Sequence, residues 1–444
     1  MPATPTAIDL LLEARWIVPV NPAGVVLENH AVAVNNGRIV AVLQQHLARQ
    51  NYVPRETKRL PHHILIPGLV NLHTHAAMSL LRGIADDQPL MTWLQEHIWP
   101  IEAKHVSPHF VFDGTRLACA EMLRSGITCF ADMYFFPKAV AEAALACGMR
   151  ASIGLIAIDF PTAYASDADD YLAKGLAVRD ALNDEDLLSF CLAPHAPYTA
   201  CDQTLTKVVT LAEQCDLPIH AHLHETRQEI ADSLKQYGAR PIERLRQLNA
   251  LGPNLLAAHG VHLTPGEIEL LAEHGCTIAH CPTSNLKLAS GIAPLAELVG
   301  RGVSVGLGTD GSASNNRLDI FGEMRLAALL AKGSSGDASV VSAQQALNMA
   351  TLGGARALGL ENDIGSLEAG KWADMCAIDI NDDQLSPCYD LISHLVYCAG
   401  REYVSDVWVA GKPRFTNGHL PGITEIELKN LAALWQNQIR PHNV

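Results

Sequence analysis

Eight short, mostly apolar runs of β-prone residues alternate with longer helix-like stretches between residues 64 and 311. Such runs are typical of strands buried on both faces of a parallel sheet, because the intervening helices cover both sides. The runs span residues 64–72, 126–133, 150–158, 187–194, 218–223, 255–261, 276–280 and 304–308. Eight consecutive units favour a closed barrel over an open sheet, so we expect an α/β fold with a (β/α)8 barrel of the TIM type over residues 67–368.

The two ends of the chain have a different pattern. Turn signals occur at Asn36-Gly37 and Asn417-Gly418, and no comparable helix separates the first two of the strand-like segments at 8–20, 30–42, 373–380 and 404–415. We therefore expect residues 1–66 and 369–444 to fold together into a small β-sandwich domain beside the barrel.

Composition narrows the possible partners. The formal charge is −15 and no basic block could follow a phosphate backbone, so we expect no nucleic acid. Residues 1–20 do not have a secretory pattern and no apolar run approaches about 18 residues, so we expect no membrane span. Eleven cysteines without a Cys-x-x-Cys pair favour reduced thiols in the cytoplasm. We expect a homo-oligomer that acts on a small molecule.

Two histidines, His73 and His75, end the first barrel run. Because side chains alternate along a strand, both point to the same side. Taken alone, the pair is as compatible with two hydrogen-bonded histidines as with a metal site.

Further candidate ligands follow three other runs, namely His222 after the fifth, His259 after the sixth and Asp310 after the eighth. The carboxyl ends of barrel strands meet at one mouth, where barrel enzymes build their active sites. Five such groups at one mouth favour a metal centre. Imidazoles with one carboxylate suit Zn²⁺, with Fe²⁺ as the alternative, better than Mg²⁺ or Ca²⁺.

The sequence resembles the amidohydrolase superfamily and, within it, the deaminases of 5-methylthioadenosine and S-adenosylhomocysteine. The likeness extends over nearly the whole chain. The blocks that carry it are 73–78 (HTHAAM), 80–83 (LLRG), 93–94 (WL), 100–102 (PIE), 194–198 (PHAPY), 222–226 (HLHET), 284–288 (SNLKL) and 308–311 (GTDG) with 314–316 (SNN).

The resemblance implies a mononuclear site. Binuclear relatives bridge two ions with a lysine at the end of the fourth strand, and the segment 192–198 contains none. One ion is therefore expected, with a water completing the shell formed by His73, His75, His222 and Asp310. His259 would orient and deprotonate that water. We expect His220 to be a core residue and assign no role to His224.

The resemblance also implies substrate contacts. Glu225 matches the acid that protonates the purine ring, Glu102 the carboxylate that binds ribose hydroxyls, and His195 a substrate-contacting imidazole, while Trp93 is a further candidate contact. Two of these have structural alternatives that remain open: Glu102 as a first-turn helix residue and His195 as a capping group.

The expected reaction is hydrolytic deamination of 5-methylthioadenosine, S-adenosylhomocysteine or both, and of adenosine as a further candidate, to the inosine derivative and ammonia. A zinc-activated hydroxide would attack, because bound zinc lowers the pKa of water to about 7, and Asp310 and His259 would take the released proton. Relatives can hold the homocysteine carboxylate with arginines after the third strand, but residues 151–159 offer none, so the substrate preference stays open. The alternatives are another amidohydrolase, such as a guanine deaminase or a triazine hydrolase, and a non-catalytic barrel scaffold.

Overall fold

The computed structural model of the chain describes residues 5–440. Its strands are β1 (Thr6–Ile17), β2 (Leu27–Asn35), β3 (Arg38–Gln44), β4 (Tyr52–Pro67), β5 (Leu69–Thr74), β6 (Ile127–Tyr134), β7 (Arg150–Ala157), β8 (Leu188–Pro194), β9 (Ile219–Leu223), β10 (Leu255–His259), β11 (Thr277–His280), β12 (Ser304–Leu307), β13 (Met375–Asp379), β14 (Val404–Val409) and β15 (Lys412–Thr416).

The α-helices are α1 (Gln45–Asn51), α2 (Leu90–Thr92), α3 (Trp99–His105), α4 (Pro108–Arg124), α5 (Pro137–Cys147), α6 (Ala168–Leu182), α7 (Asp202–Cys215), α8 (Arg227–Tyr237), α9 (Pro241–Gln247), α10 (Pro265–Glu273), α11 (Pro282–Lys287), α12 (Leu295–Gly300), α13 (Ser312–Asn315), α14 (Ile320–Ser335), α15 (Ala343–Met349), α16 (Leu352–Ala357), α17 (Leu391–Tyr397) and α18 (Glu425–Ile439). A π-helical turn, Trp93–Ile98, joins α2 to α3, and short 3-10 helices span Ala76–Leu81, Asp383–Leu385 and Arg401–Tyr403. Between residues 5 and 440, no helix is both long and apolar enough to cross a membrane.

Strands β5 to β12 form the barrel, and each pairs in parallel with the next along the chain. Every residue of β6 and β7 is buried, as expected for strands that have the barrel core on one side and helices on the other. The ring closes where Asp310 N–H donates to the His73 carbonyl over 2.9 Å. Beside it, the Asn71 amide exchanges two hydrogen bonds with Thr309, of 2.8 and 2.9 Å.

Strands from both ends of the chain form a second sheet of seven strands, in the order β15-β14-β13-β4-β1-β2-β3. Strand β4 lies between β1, with which it is parallel, and β13, with which it is antiparallel. The predicted fold class, a parallel barrel beside a β unit built from both chain ends, is confirmed. The domain boundaries at residues 66/67 and 368/369 stay a prediction.

The first predicted barrel run, residues 64–72, is divided between the two sheets. Residues up to Pro67 pair with β1 and β13, and the barrel strand itself begins at Leu69. Both parts are apolar because both are buried, so hydrophobicity alone could not mark the change of partners. The polar first part of β4 and helix α18 were also not expected from the sequence.

The turn signals had mixed outcomes. Asn36 and Gly37, with φ of 50° and 76°, make the tight turn from β2 to β3, as predicted. Asn417-Gly418 forms a turn between Thr416 and His419. The predicted strand 404–415 is instead a hairpin, β14 and β15, that turns at Ala410-Gly411.

Candidate active site

His73, on β5, and His75, directly after it, enter the barrel mouth side by side, with ring centroids 4.9 Å apart. The Nδ1 of His75 lies 2.6 Å from the Met133 carbonyl and donates to it, which leaves Nε2 with a free lone pair. The Nδ1 of His73 lies 3.0 Å from Nε2 of His220. Contacts with β6 and β9 therefore fix the orientation of both imidazoles.

Close packing between β5 and the end of β12 requires a residue without a side chain. A Cβ on Gly308 would lie 2.8 Å from the Cβ of His73 and 2.9 Å from its backbone nitrogen, nearer than carbon atoms approach in proteins. Glycine at this position lets the His73 ring and the Asp310 carboxylate share one space.

His222, on β9, and Asp310, after β12, complete the predicted ligand set. The Nε2 atoms of His222 and His75 are 3.3 Å apart. Oδ1 of Asp310 lies 3.2 Å from Nε2 of His75 and 3.4 Å from Nε2 of His73. The four predicted ligands thus converge on one point.

His222 and Asp310 make hydrogen bonds through their outer atoms, which leaves the atoms that face the centre free to bind a metal ion. His222 donates from Nδ1 to the His195 carbonyl over 2.6 Å, so that its Nε2 faces the centre. The second oxygen of Asp310 accepts from the hydroxyls of Ser284 and Ser314, each at 2.6 Å. This arrangement is typical of metal ligands, which are oriented by hydrogen bonds from their outer atoms.

The cluster fits a metal ion better than a hydrogen-bonded network. Nε2 of His73 is fully buried and has no hydrogen-bond partner among the described residues. A buried polar atom without a partner is costly, and a cation would satisfy it together with the lone pairs that face it. Two sets of side chains have ligand atoms within 4.8 Å of one another, namely His73, His222 and His259, and His73, His75 and Asp310.

The electrostatics of these groups favour neutral imidazoles at His73 and His222 beside the charged carboxylate of Asp310. Burial lowers the pKa of His73 to about 4 and moves the pKa of His222 well below its ordinary range. Although burial opposes the shift, the adjacent histidines hold the pKa of Asp310 well below its ordinary value. Against the same effect of burial, Asp310 and the Met133 carbonyl raise the pKa of His75 to about 9.

The two histidines that flank His222 on its strand differ in role. His220 is fully buried, as expected for a core residue, and in addition its Nε2 contacts Nδ1 of His73 and helps to orient that ring. His224 has a structural position: its Nδ1 lies 3.1 Å from the His262 carbonyl, and its Nε2 accepts from the backbone N–H of Ile242 in the first turn of α9.

His259 and Glu225 face the same space from neighbouring strands. Nε2 of His259 is 3.9 Å from Oε2 of Glu225, and Nδ1 of His259 donates to Oδ1 of Asn285 over 2.8 Å. Burial raises the pKa of Glu225, which favours its protonated form. The backbone N–H groups of His224 and Glu225 donate to the buried carboxylate of Glu229, which fixes the start of this loop.

Glu102 lies in the first turn of α3 and lines the same cavity, whose volume is about 480 Å³. Its Oε1 accepts a 2.6 Å hydrogen bond from the Tyr134 hydroxyl. Burial raises the pKa of Glu102 to about 7, although Tyr134 and His75 oppose the shift.

The two remaining predicted contacts also line the cavity. The ring of Trp93 is buried in the wall, and its indole N–H donates to the Ile84 carbonyl. His195 stacks at a tilt on His222, with 4.6 Å between ring centroids, and its Nδ1 lies 3.0 Å from the Thr199 hydroxyl. Burial lowers the pKa of His195 to about 3, so this ring is neutral.

The structure brings the predicted metal and substrate candidates together. Sequence reasoning missed the residues that hydrogen-bond to them. These are Tyr134, Ser284, Asn285, Ser290, Ser314 and Glu229. The serines and Asn285 lie within or beside motifs already singled out, so position relative to a strand end could have found them. Nothing in the local sequence marks Tyr134 as a partner of Glu102, because they are 32 residues apart.

Comparison with known proteins gives a consistent result. Residues 64–414 match the Amidohydrolase family. A protein of Teredinibacter turnerae called 5-methylthioadenosine/S-adenosylhomocysteine deaminase is 46% identical over 434 residues, which cover 98% of each chain.

Solved structures agree with that result. A zinc-bound structure described as an adenosine deaminase, from Xanthomonas campestris, is 50% identical, superposes with a TM-score of 0.97, and the match covers 98% of this chain and 100% of that one. A zinc-bound atrazine chlorohydrolase from Arthrobacter aurescens superposes with a TM-score of 0.88 at 24% identity, and the match covers 97% of this chain and 100% of that one. The second likeness shows the fold alone.

Proposed function

The chain belongs to the amidohydrolase family, and from that premise we propose that it deaminates 5-methylthioadenosine, S-adenosylhomocysteine or both, to the inosine derivative and ammonia. Adenosine is a further candidate substrate. The observation that carries the proposal is the position of Glu225, a buried acid with a raised pKa that faces His259 at the edge of the ligand cluster. A proton donor at that place is what a purine ring nitrogen requires when the adjacent carbon is attacked.

We propose one zinc ion per chain, with Fe²⁺ as the alternative, held by His73, His75, His222 and Asp310. The neutral imidazoles of His73 and His222, the single carboxylate and the unpartnered Nε2 of His73 support this set. When bound, zinc supplies a Lewis acid that makes hydroxide available from water at neutral pH.

The chain's own residues then move the protons. Asp310 and His259 both line the cavity, and we assign them to accepting the proton that the attacking water would release. Glu225, whose pKa burial raises and whose Oε1 accepts from the Ser290 hydroxyl at 3.3 Å, delivers a proton to the purine ring nitrogen. The proton gained by the ring neutralises charge that would otherwise build up during attack. As the C–N bond breaks, the proton taken up by Asp310 or His259 passes to the exocyclic amine, which leaves as ammonia, and Glu225 recovers a proton from the hydroxyl that becomes the carbonyl.

The outer part of the site orients the nucleoside. Tyr134 engages one oxygen of Glu102, and the other oxygen can accept from ribose hydroxyls. Neutral His195 offers a hydrogen bond beside the ligand cluster, and Trp93 supplies an apolar wall. A cavity of about 480 Å³ is within the range used for molecules of nucleoside size.

A second hydrolytic function on the same scaffold, such as guanine deamination or triazine hydrolysis, would use the same ligand set. The acid that faces His259 suits an aromatic ring nitrogen in all of them. Glu102 in the wall gives the nucleoside its advantage, because neither guanine nor a triazine carries ribose hydroxyls.

The test is a panel of 5-methylthioadenosine, S-adenosylhomocysteine, adenosine and guanine, with ammonia release measured for each and the zinc content determined on the same sample. We expect ammonia from at least one of the first two and little from guanine. Turnover of guanine alone would favour the alternative hydrolase. A zinc-loaded protein that releases no ammonia from any of the four would contradict the proposal.

We also propose that the protein acts in the cytoplasm as a homo-oligomer. Eleven cysteines that form no disulfide within residues 5–440 support a reducing compartment. Fractionation of the native cell and the mass of the purified protein in solution test the two statements separately.

A further inference from the structure

The cavity that contains Glu225 has two chemically different ends. The inner end holds Glu225 and the buried metal-ligand candidates. The lining residues that are partly or fully exposed, and so mark the outer end, include the apolar and aromatic side chains of Leu90, Leu94, Trp99, Phe135, Phe160 and Tyr164. Glu102 and Tyr134 lie in the same wall and hydrogen-bond to each other. If the purine ring meets Glu225 and the ribose meets Glu102, the 5′ substituent of the nucleoside lies among the apolar groups.

No lysine or arginine is present among the described residues that line this cavity. The lining carboxyl groups are Glu102, Glu225 and Asp310, and none of them offers a positive partner to an anion. An amino acid zwitterion at the outer end would lose water from its carboxylate without gaining a cation. Partial loss of water around an unpaired charge is unfavourable, and the cost grows with the depth to which the carboxylate enters.

The loop after β7 has no spare cation to offer. Lys174, which lies near it on α6, donates to the Tyr164 carbonyl at 2.9 Å and to Asp170 at 2.8 Å. The loop is held in place by the Thr162 N–H, which donates to the Ala165 carbonyl, and by the Tyr164 ring, which packs 5.1 Å from that of Phe136. Reorganisation toward a carboxylate would have to break these contacts.

We infer that the outer end of the cavity takes an uncharged, apolar 5′ substituent and excludes the homocysteine zwitterion, so that 5-methylthioadenosine and not S-adenosylhomocysteine is the preferred substrate. This inference rests on the proposed function and narrows it.

The test compares kcat/KM for 5-methylthioadenosine, S-adenosylhomocysteine and 5′-n-butylthioadenosine, which lengthens the apolar chain without charge. We expect the butyl compound to stay within about tenfold of the methyl compound and S-adenosylhomocysteine to be at least about 30-fold worse. A smaller deficit for S-adenosylhomocysteine would overturn the inference. A loss of more than about tenfold for the butyl compound would also overturn it, because size and not charge would then decide.

A matched pair of variants at Phe160, which is 43% exposed at the outer end, locates the effect. Phe160→Arg should reduce the ratio of kcat/KM for 5-methylthioadenosine to kcat/KM for S-adenosylhomocysteine by at least about tenfold. Phe160→Gln should change this ratio by less than about threefold. An equal effect of both variants, or no effect of either, would overturn the placement of the 5′ group. A wild-type protein that turns over none of the three nucleosides would instead contradict the proposed function itself.

Discussion

Each histidine at the barrel mouth that faces the cavity has one ring nitrogen tied to the protein. His75 and His222 donate to backbone carbonyls, and His259 donates to Asn285. A donating Nδ1 sets the tautomer, so that Nε2 carries the lone pair. The chemistry of the site therefore depends on contacts made by the outer edges of these rings.

Glu225→Gln tests the proton donor at this scale. The amide keeps the size of the side chain but cannot deliver a proton, so we expect zinc content to remain and kcat to fall by at least about 100-fold. Turnover by ammonia release and metal analysis of the same preparation are the measurements. Glu243→Gln, on the exposed side of α9, is the control. A fully active Glu225→Gln variant would remove this residue from the mechanism.

Glu323, on α14, gives a prediction for the pH dependence of stability. Burial raises its pKa from 4.5 to about 7, although its hydrogen bonds with Thr283 and Asn315 oppose the shift. Between these two values the folded chain keeps a proton that the unfolded chain has released, so the contribution of Glu323 to stability falls as pH rises through this window.

The measurement is the free energy of unfolding by urea at several pH values, for the wild type and for Glu323→Gln. From pH 5 to pH 8 the wild type should lose about 2–3 kcal/mol relative to the variant. The variant also lacks one hydrogen-bond acceptor, but that loss shifts its curve by a constant. Parallel curves for the two proteins would show that the carboxyl titrates in its ordinary range.

At the scale of secondary structure, strand ends carry the site. The proposed ligands come from β5 and the residue after it, from β9 and from the turn after β12, which are remote in sequence but meet at one mouth. This is why the metal candidates could be predicted from the sequence once eight runs were recognised, whereas the substrate candidates were implied by the resemblance to a known family. The contact between His220 and His73 could not be predicted, because it depends on which side chains of two non-adjacent strands lie at the same height inside the barrel.

Gly308→Ala tests the close approach of β5 and the end of β12. The new methyl group would meet the Cβ of His73, which must then move, so we expect zinc content per chain to fall and activity to fall with it. Gly300→Ala is the control, since a Cβ there meets nothing within 4 Å. If Gly308→Ala retained full zinc, the packing argument for this glycine would be wrong.

On the scale of the whole molecule, the division into a barrel and a second sheet followed from the change in sequence pattern at the two ends. The exact residue at which the chain passes from the second sheet into the barrel could not be predicted from that change. Strand β4 runs into β5 with Gly68 as the only residue between them, and the apolar character continues across it. The polar half of β4 has charged side chains on both faces, so the alternation that identifies a strand is missing.

The proposed metal count is also a property of the whole molecule, because the proposed ligands come from three separate parts of the barrel and are assigned to one ion. The most direct test is to strip the metal with a chelator, add zinc in steps, and measure deamination of 5-methylthioadenosine at each step. We predict that activity rises in proportion to zinc and stops rising at one equivalent per chain. Activity that is independent of zinc, or that continues to rise to two equivalents, would contradict a mononuclear zinc-dependent deaminase.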